Sequence, residues 1–364
     1  MKVLVAPLDW GLGHATRCVP LIKAMLEHGW KITLAGEGPS LNLLIQEFPN
    51  LPTLELKGYR ISYPKQGFLL IPKLIAQLPK IAQAIRSERI WLKQAQKEYQ
   101  WDLIISDNRY GLSIMNAKCI FVTHQVWVLS GWSKFLDTIL NKQLHRWIKQ
   151  FNQCWIPDEK ENGGIAGLLS HPPIPSSPAY RQASFSPFAL KYIGPLSRLR
   201  TTINQEGNKI LVLLSGPEPQ RTILEEKVIA QIKDIKEEFL VIRGLPNNAV
   251  QPKDSSHIKF RNHLSSADLS ATLSSAKLVI CRSGYSSIMD LLKLRKKAIL
   301  IPTPGQTEQL YLGQLMKEKK WFIVEQQDDF QLTRAIPFCL GKELVRPTLD
   351  FELHKQVLSE LVTK

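Results

Sequence analysis

The first half of the chain alternates short apolar runs with segments of helical spacing, and polar turns follow several of the apolar runs. Residues 2–6 predict a buried strand, residues 16–28 a helix and residues 31–35 a second strand. A helix is predicted over 69–100 with a break near Pro79, and strands over 102–106 and 119–123. This order is typical of an open parallel α/β domain.

The same pattern restarts in the second half of the chain. Further strands are predicted at 209–214, 239–242, 258–260, 278–281, 298–301 and 322–324, with helices between several of them. Residues 192–196 predict the last strand of the first domain, and prolines and glycines keep the elements of 157–190 short. We therefore predict an α/β protein with two Rossmann-like domains, residues 1–200 and 205–345, that face each other across a cleft.

Two successive strands of the second domain are each followed by a polar, glycine-bearing turn, Ser283-Gly284 and Gly305-Gln306. In parallel sheets these turns face a common ligand crevice. A helix that opens at 284–286 directs free N–H groups and its positive end into that crevice, as a phosphate requires. Asp290 lies seven residues after Ser283, roughly 10 Å along the helix at about 1.5 Å per residue. A carboxylate there is placed to accept hydrogen bonds from the ribose of a nucleotide diphosphate.

A second glycine-bearing turn, Gly11-Leu12-Gly13-His14, follows the first predicted strand. The third glycine of a dinucleotide-binding turn would fall at Thr16, so that interpretation is weak. At a helix start, the dipole favours a neutral imidazole that can accept a proton. His14 is therefore a candidate base, with a structural helix cap as the alternative, and Arg17 on the same face is either an acceptor-phosphate ligand or a solvated side chain.

The Ser283-Gly284 turn, Asp290 and the proline-bounded turn that ends at Gln309 resemble the donor half of MurG-type glycosyltransferases, family 28 of the GT-B fold. The similarity is strongest over 257–324, and the turn at 11–14 supports it independently. The resemblance implies a histidine base at position 14, and a final helix, within 346–364, that packs back towards the first domain. Asp107 and Arg109 follow a neighbouring strand and are further candidates.

The resemblance and the strand-end positions together give two sets of site residues. The expected nucleotide-sugar ligands are Ser215, Gly216, Arg282, Ser283, Gly284, Asp290, Gln306, Glu308 and Gln309. The expected acceptor-binding residues are Gly11, Gly13, Arg17, His124 and Gln125. The proline-rich Pro217-Glu218-Pro219 departs from the small residues usual in the family's loop, and Gln220 or Arg221 are alternatives there.

The distribution of charge along the chain indicates which partners to expect. The formal net charge is +15, and residues 57–151 hold 15 Lys and Arg against 5 Asp and Glu, 15 − 5 = +10. Bulky side chains interleave with these charges: Phe68 to Ile71, Leu74, Ile75, Trp91, Trp127, Trp132, Phe135 and Trp147. This mixture suits an anionic membrane surface, and a helix core with a solvated basic face is the alternative. No nucleic-acid recognition motif accompanies the charge, so no nucleic-acid partner is expected.

Five scattered cysteines argue against a disulfide framework, and the chain has no apolar run long enough to span a bilayer. We expect a cytoplasmic protein, peripheral on the inner membrane face. The sequence has no Asp-x-Asp pair, so neither a metal nor a cofactor is expected beyond the nucleotide-sugar itself. The hypothesis is an inverting, metal-independent transfer from a UDP-sugar to a lipid-linked hydroxyl. A nucleotide-sugar hydrolase or epimerase, or a non-catalytic nucleotide-sugar-binding protein, is the alternative.

Overall fold

The computed structural model describes residues 1–60, 77–172, 189–200, 207–216, 218–245 and 250–362. These residues divide into two compact units. The first unit holds the chain up to residue 197 together with 349–362, and the second holds residues 198–348.

The first unit is built on a parallel sheet of seven strands in the order β3-β2-β1-β4-β5-β6-β7. The strands are β1 (Lys2–Pro7), β2 (Lys31–Gly36), β3 (Thr53–Glu55), β4 (Leu103–Asp107), β5 (Lys118–Val122), β6 (Gln153–Ile156) and β7 (Ala189–Tyr192). The helices are α1 (Leu12–Glu27), α2 (Gly38–Glu47), α3 (Leu78–Tyr99) and α4 (Lys134–Ile148). All the neighbouring strands pair in parallel, so their carboxyl ends lie at one edge.

Hydrophobic spacing explains why these elements pack as they do. β4 is buried along its whole length, as a central parallel strand covered on both faces must be. α1 buries Ala15, Cys18, Val19 and Ile22, a helical i, i+3, i+4, i+7 stripe, against β1 and β2. The core of the first unit therefore lies on both sides of its sheet.

The second unit repeats this plan with a parallel sheet of six strands in the order β10-β9-β8-β11-β12-β13. The strands are β8 (Ile210–Leu213), β9 (Phe239–Ile242), β10 (Ile258–Arg261), β11 (Leu278–Cys281), β12 (Ala298–Leu300) and β13 (Ile323–Val324). The helices are α5 (Gln220–Ile232), α6 (Ser266–Ser275), α7 (Tyr285–Lys293), α8 (Thr307–Glu318) and α9 (Leu332–Gly341). The α/β fold predicted from the sequence is confirmed in both halves.

Several element boundaries differ from the prediction. α1 begins at Leu12 and not near residue 16, because Gly11 takes a positive φ of 88° that lets the chain turn directly from β1 into the helix. The last strand of the first sheet is 189–192, not 192–196. The predicted helix over 69–100 is described only from Leu78, since residues 61–76 lie outside the described part of the chain.

The C-terminal helix α10 (Leu353–Val362) is part of the first unit. Val357 and Leu358 are buried in the same core cluster as α1. Gly194 admits this segment, because a Cβ at that position would lie 2.5 Å from the carbonyl oxygen of Asp350. Residues far apart in the sequence thus complete one core.

A buried ion pair joins the strand ends of the first sheet to α3. Arg109 is fully buried, and its guanidinium donates to Glu88 Oε1 at 3.0 Å and to the carbonyl oxygen of Pro7 at 2.8 Å. Glu88 also accepts from the Tyr59 hydroxyl at 3.0 Å and from the Gly111 N–H at 2.9 Å. Every charged oxygen and most of the guanidinium donors therefore have partners.

We predict that Glu88→Ala lowers the free energy of unfolding by about 3–5 kcal/mol, because it leaves the Arg109 charge buried without a carboxylate. Urea unfolding measures the change. Lys355→Ala, which removes an exposed pair with Glu352, is the matched control and should cost at most about 1 kcal/mol. A Glu88→Ala effect as small as the control would show that the buried pair does not stabilise the fold.

Candidate active site

The strand order of the first sheet reverses between β1 and β4, and the carboxyl ends of two such strands are where open α/β sheets bind ligands. Pro7 at the end of β1 is in register with Asp107 at the end of β4, and the Leu8 N–H donates to the Asp107 carbonyl at 2.9 Å. α1 begins five residues after β1 ends, which brings His14 over this point. His14 Nδ1 lies 2.7 Å from Asp107 Oδ1.

Arg17 completes a buried cluster around Asp107. It lies three residues after His14 on the same face of α1, and its Nε and Nη2 both donate to the Asp107 carboxylate. Its Nη1 lies 2.7 Å from His124 Nδ1, and its Nη2 lies 2.9 Å from His14 Nδ1. A guanidinium fork matches a carboxylate in two places at once, so this arrangement fixes both side chains.

Asp107 is ionised despite having no solvent exposure. Burial alone raises the pKa of its carboxyl, but the charge of Arg17 and the contact with His14 outweigh burial and lower the pKa to about 2. Cys18 lies at 3.7 Å from the same carboxylate, and burial raises the pKa of its thiol well above the usual value. The thiol is therefore neutral, and the negative charge of the cluster belongs to Asp107.

His14 is neutral at neutral pH. Burial and the charge of Arg17 lower the pKa of its imidazole, and the opposing effect of Asp107 does not restore it. A carboxylate only accepts hydrogen bonds, so the His14 nitrogen that faces Asp107 carries the hydrogen. Nε2 then has the free lone pair, and a side chain that is 14% exposed can use it to take a proton.

The structure corrects the expected role of Arg17. It is 3% exposed and its guanidinium is engaged by Asp107 and two histidines, so it is neither a solvated side chain nor placed to hold an acceptor phosphate. His124 joins the cluster, as a residue 6% exposed at the end of β5. Gln125 follows His124, and the backbone N–H of Gln125 donates to Thr123 Oγ1 at 3.0 Å. Gly11 and Gly13 form the turn that leads into α1.

Asp107, a further candidate from the sequence, lies at the centre of the buried cluster. Its position directly after β4, beside the strand that precedes His14, was the available signal. Arg109 was grouped with it, yet Arg109 is buried in the ion pair with Glu88 and supports the strand ends from within. Although both residues lie at the carboxyl end of β4, Asp107 belongs to the cluster with His14 and Arg109 to the ion pair with Glu88.

In the second sheet the order reverses between β8 and β11, and the turn after β11 carries Ser283 and Gly284. Ser283 is buried and its hydroxyl donates to the Gln309 carbonyl at 2.8 Å, so the hydroxyl hydrogen is already engaged by the protein. Gln309 Oε1 accepts from the Thr303 N–H at 2.9 Å, and its Nε2 lies 4.0 Å from the Cβ position of Gly284. The Gln309 carboxamide therefore lies between the two predicted turns.

Arg282 is a correction to the predicted ligand set. It is 1% exposed, and its guanidinium donates to the carbonyl oxygens of Ile301 and Pro302 at 3.2 Å and of Gln220 at 2.7 Å. Burial lowers the pKa of this arginine to about 10, still far above neutrality. Arg282 thus ties the turns after β11 and β12 to the start of α5 from inside the protein.

The remaining predicted donor residues lie around these turns. Gln306 precedes α8, and its Oε1 is buried without a hydrogen-bond partner. Glu308 lies in the first turn of α8, and Asp290 is half-buried on α7. Ser215 and Gly216 follow β8, where Gly216 has a φ of 103° and open space at its Cβ position. Pro217 lies outside the described residues.

The neighbouring alternatives are already paired. Arg221 donates to Glu218 and to Glu225, so its charge is neutralised within α5 and the turn before it. Gln220 accepts from Gln327 Nε2 at 3.0 Å. Among the described residues, no group of three or more His, Cys, Asp or Glu side chains is placed to hold a metal ion. Within the same part of the chain, none of the helices has the length and apolar character needed to cross a membrane.

Comparison with known proteins finds a family match in the second half of the chain and more distant relatives over the rest. Residues 215–336 match the glycosyltransferase family 28 C-terminal domain. An uncharacterized glycosyltransferase of Methanosarcina acetivorans is 23% identical over 380 residues, which cover 99% of this chain and 93% of that protein. The UDP-N-acetylglucosamine–N-acetylmuramyl-(pentapeptide) pyrophosphoryl-undecaprenol N-acetylglucosamine transferase of Nitrobacter winogradskyi is 27% identical over 149 residues, 40% of this chain and 38% of that enzyme.

Solved structures share the fold over the whole chain. Spinosyn rhamnosyltransferase SpnG has a TM-score of 0.63 at 15% identity, covering 100% of this chain and 96% of that one. The glycosyltransferase of kitacinnamycin has a TM-score of 0.63 at 11% identity, covering 99% and 93%. The predicted glycosyltransferase class, GT-B fold and resemblance to family 28 are confirmed.

We predict that Asp107→Asn lowers the free energy of unfolding by about 3–5 kcal/mol at pH 7, because Arg17 loses its buried counter-charge. The folded pKa of about 2 lies below the unfolded value of about 3.9, so the charged carboxylate stabilises the fold above pH 4. That contribution is lost as the pH falls towards 2, and the difference between variant and wild type should narrow. Urea unfolding at pH 7 and pH 3 measures both values.

The matched control is Asp102→Asn, at the opposite end of the same strand, where the exposed carboxylate accepts from the Lys2 N–H at 2.7 Å. Its effect should be small at both pH values. An Asp107→Asn deficit that stayed the same at pH 7 and pH 3 would contradict a native carboxylate charge at this position.

Proposed function

We propose that the protein is an inverting, metal-independent glycosyltransferase that moves a sugar from a UDP-linked donor to an acceptor hydroxyl. The observation that carries this proposal is the His14–Asp107 pair. It combines a neutral imidazole with an orienting carboxylate at the strand ends where this fold class binds substrates. General bases need this combination, because the pKa must allow proton uptake and the ring must be held in one tautomer.

The proposed reaction is a single displacement. The acceptor hydroxyl transfers its proton to His14 Nε2, its oxygen attacks the anomeric carbon of the donor sugar, and the bond to the nucleoside diphosphate breaks. Attack from the face opposite the leaving group inverts the anomeric configuration. Asp107 stabilises the imidazolium that forms without taking the proton itself.

The second unit supplies features suited to a diphosphate leaving group. α7 begins at Tyr285, and its N-cap residue Gly284 has no side chain to cap the backbone N–H groups of the first turn. Such groups and the helix dipole favour a negative charge at the helix start. Asp290, further along α7, is our candidate for the ribose hydroxyls, and the Gln309 Nε2 beside Gly284 and the unsatisfied Gln306 Oε1 are candidates for the donor sugar.

The choice of a uridine nucleotide rests on the Nitrobacter enzyme, whose name specifies a UDP-sugar donor. One of the solved SpnG structures holds thymidine diphosphate, with a TM-score of 0.62 at 16% identity. Both nucleotides therefore belong in a binding screen, and stronger binding of thymidine diphosphate would replace the uridine assignment.

We propose a lipid-linked acceptor because of one surface of the first unit. Three bulky apolar side chains follow one another at helical spacing, with Trp132 just before α4 and Phe135 and Ile139 within its first two turns. Their side chains are 61%, 75% and 48% exposed, respectively. Exposed Lys142 and Arg146 continue the same stripe. An exposed apolar patch next to cations is suited to the interface of an anionic membrane on its cytoplasmic side.

Other bulky residues of the basic region have a different place. Trp91 packs against the core and stacks on Trp101, and Trp147 packs on Tyr110 with ring centroids 4.9 Å apart. For these two side chains the core interpretation is right. The predicted apolar residues 68–71, 74 and 75 lie outside the described residues. The proposed membrane surface is therefore limited to the Trp132–Arg146 stripe.

We predict that His14→Ala reduces transfer by about 10²–10⁴-fold, the usual contribution of a general base, and leaves nucleotide binding intact. Asp290→Ala should instead weaken nucleotide binding. Transfer is measured by nucleoside diphosphate release with and without acceptor, and binding by thermal shift over a series of nucleotide concentrations. His28→Ala, an exposed histidine at the other end of α1, is the matched control.

Each alternative function has its own result in this experiment. Release of nucleotide without acceptor would identify a hydrolase or epimerase, and binding without turnover over many acceptors a non-catalytic protein. Transfer that persisted in His14→Ala would exclude His14 as the base.

We predict that the double change Phe135→Ser and Ile139→Ser reduces binding to phosphatidylglycerol-containing vesicles by about tenfold or more, because each buried side chain contributes about 1.5–3 kcal/mol. Co-sedimentation measures the bound fraction. Phe338→Ser, which changes a residue 54% exposed in the second unit, is the control. Equal binding by the double variant and the control, or binding independent of salt, would contradict the proposed membrane surface.

A further inference from the structure

One guanidinium contacts two histidines of the first unit, His14 and His124. Arg17 reaches His14 Nδ1 at 2.9 Å and His124 Nδ1 at 2.7 Å, and it holds the Asp107 carboxylate between its Nε and Nη2. The three partners come from three elements, α1, the end of β4 and the turn after β5.

The chemistry of these contacts decides where each ring carries its hydrogen. An arginine only donates, so the His124 nitrogen at 2.7 Å from Nη1 must accept, and its hydrogen lies on Nε2. His14 Nδ1 faces two groups, the Asp107 carboxylate at 2.7 Å, which only accepts, and Arg17 Nη2 at 2.9 Å, which only donates. Because Nη2 already donates to Asp107 and the contact with the charged carboxylate is the shorter one, the hydrogen lies between His14 Nδ1 and Asp107 Oδ1. Without a hydrogen between them, two lone pairs at that distance would repel. The two rings therefore take opposite tautomers.

We propose that Arg17 is a positioning residue. By holding the Asp107 carboxylate against His14 and by donating to His124, it places the two rings in opposite tautomers, so that His14 offers an accepting Nε2 and His124 a donating Nε2–H. One imidazole can then take a proton from an acceptor hydroxyl, and the other can donate to an oxygen, such as that of a hydroxyl or a phosphate. The part that concerns proton uptake rests on the proposed function. The tautomers do not, because they follow from the contacts alone.

Among the described residues, the charged groups that face His14 are Arg17 and Asp107. His124 contacts the other terminal nitrogen of the Arg17 guanidinium. Cys18 and Tyr110 face the same cluster as neutral groups, because burial raises the pKa of each well above neutrality. Burial is the largest influence on the pKa of His14 and lowers it, and the charge of Arg17 lowers it further against the opposing effect of Asp107. Loss of the Arg17 charge alone should therefore raise the pKa of His14.

The direct test is nuclear magnetic resonance of the wild-type protein labelled with ¹⁵N in its histidines, using long-range proton–nitrogen correlations. The eight histidines are assigned with His14→Ala and His124→Ala. At pH 7 we expect the Nδ1–H form for His14 and the Nε2–H form for His124. The same tautomer in both rings, or Nε2–H in His14, would overturn the proposal. This measurement needs neither substrate nor an Arg17 variant.

The second test uses Arg17→Gln, with Lys23→Gln as the matched control on the same helix. We expect the pKa of His14 and the acidic limb of kcat/KM to rise by about 1 pH unit in Arg17→Gln, as loss of a neighbouring charge requires. Arg17→Lys keeps the charge but not the fork, so it should retain the pH profile better than Arg17→Gln. A shift no larger than that of Lys23→Gln would overturn the proposal.

The outcomes separate this inference from the proposed function. Opposite tautomers without any detectable transfer would support the positioning role and remove the glycosyltransferase assignment of the site. Transfer that depends on His14, with both rings in one tautomer, would keep the function and reject the role of Arg17.

Discussion

The first unit depends on a full negative charge that has no contact with water. Asp107 can remain ionised there because Arg17 gives it two charge-assisted hydrogen bonds and His14 a third contact. Each member of the cluster is held by a different part of the fold. The parallel pairing of β1 with β4 sets the distance between the strand ends, and the Gly11 turn starts α1 early enough for both His14 and Arg17 to face Asp107.

The sequence predicted the parts of this arrangement that follow from local pattern. The apolar runs identified β1, β4, β8 and β11, and the turns after them identified His14 and the Ser283-Gly284 turn. It did not identify β6, or α4, whose exposed Phe135 and Ile139 disturb the usual apolar stripe. Local pattern finds elements best when each buries one continuous face.

Side-chain roles were harder to predict than positions, because they depend on pairing across the sheet. Arg17 and Arg282 were expected to contact ligands, and both are instead buried and bonded to the protein. The Ser283 hydroxyl donates its hydrogen bond to the Gln309 carbonyl oxygen. In each case the partner lies on another strand or turn, at a distance along the chain that spacing alone does not reveal. The two turns lie at the predicted strand ends, but the structure was needed to show which of their side chains are bonded to the protein itself.

The place of α10 bears on how the chain acquires its structure during synthesis. Val357 and Leu358 belong to the core beneath α1, and Gly194 leaves room for the backbone at Asp350. The first core therefore lacks these two apolar side chains until residue 358 has been translated. Until then the surface of α1 that they cover is exposed, whereas the second unit, whose residues end at 348, has all its core side chains earlier. The unit whose translation begins first is thus the one that receives its last core residues later.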